Sequence, residues 1–372
     1  MGKVLVTGGA GFIGSHLVDA LVEKGHEVRI LDSLVEQVHG GKVPEHLNKN
    51  AEFILGDVCD PEAVSKALDG VDVIYHEAAE VGVGQSMYEI VRYVKANDLG
   101  TAVLLEEVIK RPGQFKKFVV ASSMSIYGEG SYRCDSCDRT EYPEVRGNEQ
   151  LDAHDWELKC SECGGVLAAQ GTPESKPLFP TSVYAVSKQD QEQYSISVGR
   201  AYKIPTVALR YFNVYGTRQA LSNPYTGVCA IFSSRLMNDE KPVIFEDGGQ
   251  TRDFVHVSDI VQANLLALEK DTADYRAINV GTGRHLSIAQ VSGMIAKGLG
   301  KEIEPDIVGK YREGDIRHCV ADISNARDLL GYEPKVKLED GMAELLEWVR
   351  GQNPDDKVMG ATAELAARNL VK

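Results

Sequence analysis

The stretch KVLVTGGAGFIG, residues 3–14, runs five strand-like residues into a glycine-rich turn, after which Phe12, Ile13, Leu17, Leu21 and Val22 recur at helical spacing as far as Gly25. A strand, a tight turn and a helix in that order commit the chain to a β-α-β beginning. Gly8, Gly11 and Gly14 lack the Cβ that would keep a pyrophosphate off the backbone, and the helix that follows offers free N–H groups and a positive dipole end. A tight β-α turn alone would also use glycines, so the context has to decide. Asp32 ends the next strand, EVRIL, 18 positions after Gly14, where a carboxylate accepts hydrogen bonds from an adenosine ribose.

That carboxylate repels a ribose phosphate, and Ser33 and Leu34 after it carry no compensating cation, which selects NAD over NADP. AEFILGD, VDVIYHEAA and FKKFVVASS are further β-rich runs, separated by helical patterns at 61–69 and 97–111. Alternation of this kind predicts an α/β fold: a Rossmann-type, doubly wound parallel sheet. A helix over 184–202 leads into the strand TVALRYFNV. Later residues are mixed, with KPVIFEDGGQTRDFVHV read as strand, turn, strand and helices at 259–270, 287–298 and 339–349.

At 372 residues the chain exceeds the roughly 250–300 at which single cores stop growing, so two lobes sharing a cleft are expected. The boundaries divide as a first Rossmann part at 1–130, an insertion at 131–170, a second Rossmann part at 171–216, a smaller lobe at 217–350 with segments able to return to the first, and a tail at 351–372. The net charge of −15 opposes nucleic acid as a partner. No run of 18 apolar residues offers a membrane span, and the start lacks the order of a signal peptide, which predicts a cytoplasmic protein.

In YAVSK, Tyr184 and Lys188 lie four apart, one face of a helix, so that an ammonium can lower the pKa of a phenol and leave a usable base. With 15 tyrosines one such pair is expected by chance, but VVASSMSIYG adds hydroxyls at the carboxyl end of a sheet strand, where open α/β folds place their chemistry. Capping or turn roles would serve those serines equally.

Taken together, TGGAGFIGSHL, LDSL, GDV, HEAA, ANDLGT, SSMSIYG, YAVSK, RYFNVYG, TRDFVHV, NVGTG and REGD, in that order, make the chain resemble the extended short-chain dehydrogenase/reductase family, within it the nucleotide-sugar epimerases and dehydratases. The resemblance covers residues 3 to about 349 apart from the insertion. It implies an NAD site lined by Phe12, Ile13, Asp57, Val58, Ala78, Ala79, Asn97 and Phe212, and a catalytic group of Ser123, Tyr184 and Lys188, with Lys188 also on the nicotinamide ribose. It further implies that Asn213, Arg252, Arg312 and Asp315 hold a nucleotide-diphosphate sugar. It implies a homodimer through helices after Asn97 and Tyr184, for which Val103, Leu104 and Val108 offer apolar positions.

Family dehydratases and decarboxylases carry an acid after the catalytic Ser or Thr; here those positions are Met124 and Ser125, which exchange no proton at neutral pH, so the departure points to epimerisation. HEAAEVGVGQSM, the insertion and FEDGGQTRDFVHV look most like dTDP-L-rhamnose 4-epimerases, with UDP-glucose 4-epimerase as the alternative. A sugar reductase, a dehydratase and a non-catalytic NAD-binding module stay open. Cys319 stands where the family has a large gating residue, which would either widen the sugar pocket or simply pack.

Four of the seven cysteines, Cys134, Cys137, Cys160 and Cys163, form two CxxC pairs, with Cys160 following Cys137 by 23 positions. In a reducing compartment that pattern predicts a structural zinc ribbon rather than disulfides, with reduced metal-free thiols as the alternative. Its position between Ser123 and Tyr184 leaves two readings: a wall over the sugar end, or a surface knob or dimer contact. Cys59, Cys229 and Cys319 read as small packing residues.

Overall fold

The computed structural model describes residues 2–372. Its main sheet has seven parallel strands: β1 (Lys3–Thr7), β2 (Glu27–Asp32), β3 (Glu52–Leu55), β4 (Val73–His76), β5 (Lys117–Ser123), β6 (Thr206–Tyr211) and β7 (Arg276–Val280). Their spatial order is β7-β6-β5-β4-β1-β2-β3. The order reverses between β1 and β4, which opens a crevice at the strands' carboxyl ends.

Strand alternation puts a core on each face. Val4, Val6, Val119 and Leu209 pack against Leu17 and Leu21 of α1 (Phe12–Glu23) and Ile260 of α5 (Val257–Glu269). Leu5, Ile74, Val120 and Ala208 face the other way, toward α2 (Pro61–Ala67), α3 (Gly100–Ile109) and α4 (Val183–Tyr202). Each such aliphatic side chain, fully buried, stabilises by about 1.5–3 kcal/mol, so both faces of the sheet carry the fold. Leu104 and Val108 are fully committed to this second core, so these two positions are not a dimer face, whereas Val103 packs against it and stays partly exposed.

The smaller lobe has its own core, in which Phe254 and Leu286 from short strands meet Phe232, Ile295 and Leu345 from helices Val228–Met237, Ile288–Leu299 and Leu338–Arg350. The stretch read as strand, turn, strand is not a hairpin. Val243–Ile244 pairs with Asp306–Ile307, Thr251–Arg252 with Leu286–Ser287 and His318–Cys319, and Phe254–His256 with Asn213–Tyr215. Strands of two or three residues each take a different partner, because a run this short shows no periodicity that could fix its pairing. The run TVALRYFNV likewise splits at Phe212 between two sheets.

The insertion is built into the second sheet. Its strands Ala168–Thr172, Ser131–Cys134 and Arg139–Glu141 continue the order Leu286–Ser287, Thr251–Arg252, His318–Ala321, with Gly171 and Thr172 parallel to Val320 and Ala321. No helix among the described residues is long and apolar enough to cross a membrane.

Candidate functional site

The crevice is a cavity of about 1170 Å³. Gly8 sits at φ +69°, and a Cβ there would meet the Ala78 backbone nitrogen at 2.7 Å. A Cβ on Gly14 would meet the Gly8 carbonyl oxygen at 2.3 Å, so the turn closes only with glycine at both positions. No side chain caps α1 at Gly11, which leaves its first N–H groups open to an anion. A dinucleotide fits this cradle.

Gly11, Phe12 and Ile13 line the cavity with Gly8 and Gly14, as do Asp32 and Ser33. Asp57, Val58, Ala78, Ala79 and Phe212 line its remaining walls. Asp32 is drawn back to the protein: one carboxylate oxygen accepts from the Ala10 N–H at 3.0 Å, the other from the Leu34 N–H at 2.9 Å. Leu34 lies behind the wall, buried. Asn97 is also off the wall; its amide spans from Glu80 to the Ser187 hydroxyl, 2.8 Å away, and so ties α4 to the loop after β4. Both polar groups of the Asn97 side chain already have protein partners.

Ser123, Tyr184 and Lys188 share the cavity. Ser182 caps α4 by accepting from the Ala185 N–H at 3.1 Å, which puts Tyr184 in the first turn and Lys188 one turn on. The Ser86 hydroxyl accepts from the Tyr184 N–H at 3.0 Å. Ser123 ends β5; its oxygen accepts from both the N–H and the hydroxyl of Ser125, at 3.2 and 2.9 Å, which leaves its own proton to turn toward the Tyr184 phenol or a reacting oxygen. Burial raises the Tyr184 phenol above its ordinary value, and the hydrogen bond from Ser123 pulls it back. The Lys188 ammonium donates to the Gln191 side-chain oxygen at 2.8 Å, which leaves two of its three protons uncommitted to that bond. Burial lowers Lys188 to about 8, against the attraction of Glu77 and Glu192.

Glu77 is the group that motif reading passed over, though it stands inside HEAA. It lines the same cavity, and burial pushes its carboxyl up to about 7. His39, 3.8 Å from the Asp32 carboxylate, and Lys42, His46 and Arg218 also reach the cavity wall, from stretches with no periodic signal.

The residues assigned to the sugar diphosphate lie outside this cavity's wall. Arg312 pairs with Asp315 at 2.8 Å and stacks over Phe245, while Arg252 donates to the carbonyls of Thr251, Ile316 and Arg317. The Asn213 side-chain oxygen is buried without a partner among the described residues, an unmet acceptor. Cys319 is 1% exposed inside the second sheet against Thr172, so it packs and does not widen a pocket. Cys229 is likewise buried, whereas Cys59 is partly exposed, lines the cavity and donates to the Lys95 carbonyl at 3.0 Å.

The sulfurs of Cys134, Cys137, Cys160 and Cys163 all lie within 4.8 Å of one another, with Cys134–Cys163 at 3.5 Å and Cys137–Cys160 at 3.8 Å. None is in a disulfide. A tetrahedral zinc with bonds of about 2.3 Å spaces its sulfurs about 3.8 Å apart, so the donor set fits that ion.

Residues 4–149 match the NAD dependent epimerase/dehydratase family, and residues 160–345 match GDP-mannose 4,6 dehydratase. The chain is 36% identical over 352 residues to a dTDP-L-rhamnose 4-epimerase of Burkholderia thailandensis, covering 93% of this chain and 94% of that one. Among solved structures it is similar to the UDP-glucose 4-epimerase of Thermotoga maritima with UDP-glucose, at 35% identity and a TM-score of 0.76 over 94% of this chain and 99% of that one. It is also similar to the Thermus thermophilus UDP-glucose 4-epimerase with NAD, at 31% identity and a TM-score of 0.74 over 94% and 100%. With its nucleotide cradle, its Ser-Tyr-Lys cavity and relatives matched nearly end to end, the chain belongs to the NAD dependent epimerase/dehydratase family.

Proposed function

We propose that the protein catalyses 4-epimerisation of a nucleotide-diphosphate sugar, with dTDP-L-rhamnose as the preferred substrate and UDP-glucose as the alternative. As an NAD-dependent nucleotide-sugar epimerase it oxidises and re-reduces one carbon of the sugar. The observation that carries the reading is the single cavity holding Ser123, Tyr184 and Lys188, with Ser125 spent on Ser123 where a dehydratase would keep an acid.

NAD, when bound, supplies the acceptor and donor of hydride. Tyr184 takes the proton of the sugar's 4-hydroxyl as phenolate and returns it after the 4-keto sugar has turned its other face. Ser123 steadies the reacting oxygen through its free proton, and Lys188 binds the nicotinamide ribose. Asn213, Arg252, Arg312 and Asp315 hold the nucleotide diphosphate, the arginines by a fork suited to phosphate and Asp315 by orienting Arg312. The Burkholderia relative supports the rhamnose reading, and the Thermotoga structure supports the alternative. A panel of dTDP- and UDP-sugars, followed by NMR of product stereochemistry in deuterated water, tests this: carbon 4 inverts without solvent label. Label at carbon 4 would mean enolisation and overturn it.

The four cysteines bind a structural zinc, with no open position for water or substrate. Their need for reduced thiols supports a cytoplasmic setting. The protein works as a homodimer through the exposed apolar residues of α4 and the turn before α3, among them Val186, Tyr194 and Leu99.

A further inference from the structure

Between Cys137 and Cys160 the chain makes an arm, and the two CxxC pairs close it. From this arm Arg146 and Glu157 reach into the smaller lobe. Arg146, 7% exposed, pairs through two nitrogens with Glu246, at 3.0 and 2.8 Å, and donates to the Asp315 carbonyl. Glu157 accepts from the Arg317 guanidinium at 3.0 and 2.5 Å and contacts the His318 imidazole at 3.2 Å. Asp152 accepts from the Tyr311 hydroxyl at 2.5 Å.

Every one of these contacts falls on residues 311–318 or on Glu246, which itself pairs with Arg317 at 2.9 Å. Glu129, just before the insertion, takes the backbone N–H of Arg317 at 2.7 Å and of His318 at 3.3 Å. On its far side the same segment offers the carbonyls of Ile316 and Arg317 to Arg252, at 2.7 and 3.0 Å. Arg312 and Asp315 are in the segment itself. Arg146, Glu246 and Arg317 are paired out of water and Glu157 reaches Arg317 from a half-exposed position, and charge-assisted bonds of this kind hold geometry tightly, so whatever orders the arm orders these side chains.

We infer that the four-cysteine insertion is a clamp on the phosphate-binding segment: a metal fixes the arm, and Arg146 and Glu157 then set Arg252, Arg312 and Asp315 for a nucleoside diphosphate. This rests on the reading that those three residues meet the substrate's diphosphate. Glu157 is a positioning residue and touches no substrate. The clamp is a third reading of the insertion beside the wall and the surface knob, and it rests on the contacts that the arm makes with the lobe. Without the metal the loop from Cys137 to Cys160 must be ordered at the expense of its own chain entropy, and the clamp slackens.

Hydrogen exchange over 311–318 is compared in the purified enzyme before and after a chelator removes metal under reducing conditions, and in Glu157→Gln, which keeps all four cysteines and its metal. Faster exchange is expected in both altered forms, with UDP and dTDP bound about tenfold more weakly and NAD content retained. For any nucleotide sugar that turns over, the loss falls on KM more than on kcat. Unchanged exchange over 311–318 in Glu157→Gln overturns the clamp, and that variant decides alone if chelation unfolds the protein. Failure of the unaltered enzyme to bind either diphosphate would instead sink the substrate class, while exchange over 311–318 still judges the clamp.

Discussion

The Tyr211 hydroxyl donates to the Glu77 carboxylate over 2.8 Å, and the Asn264 amide donates to the same hydroxyl over 2.7 Å. A buried acid on the cavity wall is thereby held in place without a cation in contact, and its carboxyl rises to about 7 from an ordinary 4.5. A folded-state value above the unfolded one means stability that is full below about 4.5 and lost as pH climbs through 7. Glu77→Gln removes that loss. Its unfolding free energy should match the parent near pH 4.5 and exceed it by up to about 3 kcal/mol at pH 8. Denaturant titrations across that range check this, and a pH-independent gap would show that Glu77 does not titrate there.

Alanine should act oppositely at two glycines. At Gly14 its Cβ collides with the Gly8 carbonyl, so the turn opens and NAD retention falls at least about tenfold. At Gly293, within the helix Ile288–Leu299, a Cβ meets nothing within 4 Å. There alanine should add about 0.5–1 kcal/mol by propensity alone. Cofactor content and thermal melts of the two variants separate the effects, and an NAD-replete Gly14→Ala would contradict the cradle.

Under the Ser123 strand, Glu192 receives the Arg210 guanidinium at 2.6 and 2.9 Å and the Ser122 hydroxyl at 2.7 Å, all buried. Glu192→Leu leaves a buried cation alone and should cost about 3–5 kcal/mol, whereas the double change with Arg210→Met should cost clearly less. Urea midpoints of both variants test it. Equal losses in single and double variants would mean that the pair is not coupled.

What the sequence showed, it showed where chemistry is local. The glycine turn, Asp32 and the Tyr184–Lys188 spacing each depend on residues a few positions apart or on one strand-helix unit, and the structure gathers them in one crevice. The CxxC pairs carry their own geometry in the same way. Glu77 stayed hidden because its significance comes from burial beside Tyr211, 134 residues away. The attachment of the insertion stayed hidden because Arg146 and Glu246 are 100 apart and neither sits in a periodic pattern. Two-residue strands such as Thr251–Arg252 gave no register to read.

Val91, Leu99, Val186 and Tyr194 are 80, 49, 45 and 41% exposed on the elements that precede α3 and on α4, while Leu104 and Val108 face inward. Association of two copies there predicts that Leu99→Glu with Val186→Glu halves the mass seen by light scattering and leaves the melting temperature of the subunit's own core transition in place. An unaltered mass for the double variant would rule this face out.

The tail joins two sides of the cleft. In its helix Val358–Ala367, Leu365 lies close over Gly84, where a Cβ would come within 3.3 Å, and Arg368 stacks on Tyr88. Glu364 accepts from the Tyr88 hydroxyl at 3.2 Å. Further on, Val371 bridges to Arg312, and Lys372 exchanges both backbone hydrogen bonds with Tyr311, at 3.1 and 3.0 Å. One end therefore bears on the segment whose Ser86 holds the Tyr184 N–H, and the other on the segment that carries Arg312. A carboxylate introduced by Leu365→Asp would have to be desolvated against Gly84, so the helix should lift. Faster hydrogen exchange is then expected both at 82–88 and at 311–313, with kcat/KM down about tenfold and metal content unchanged. Loosening confined to 82–88 would mean that the two contacts are independent and that the tail does not couple them.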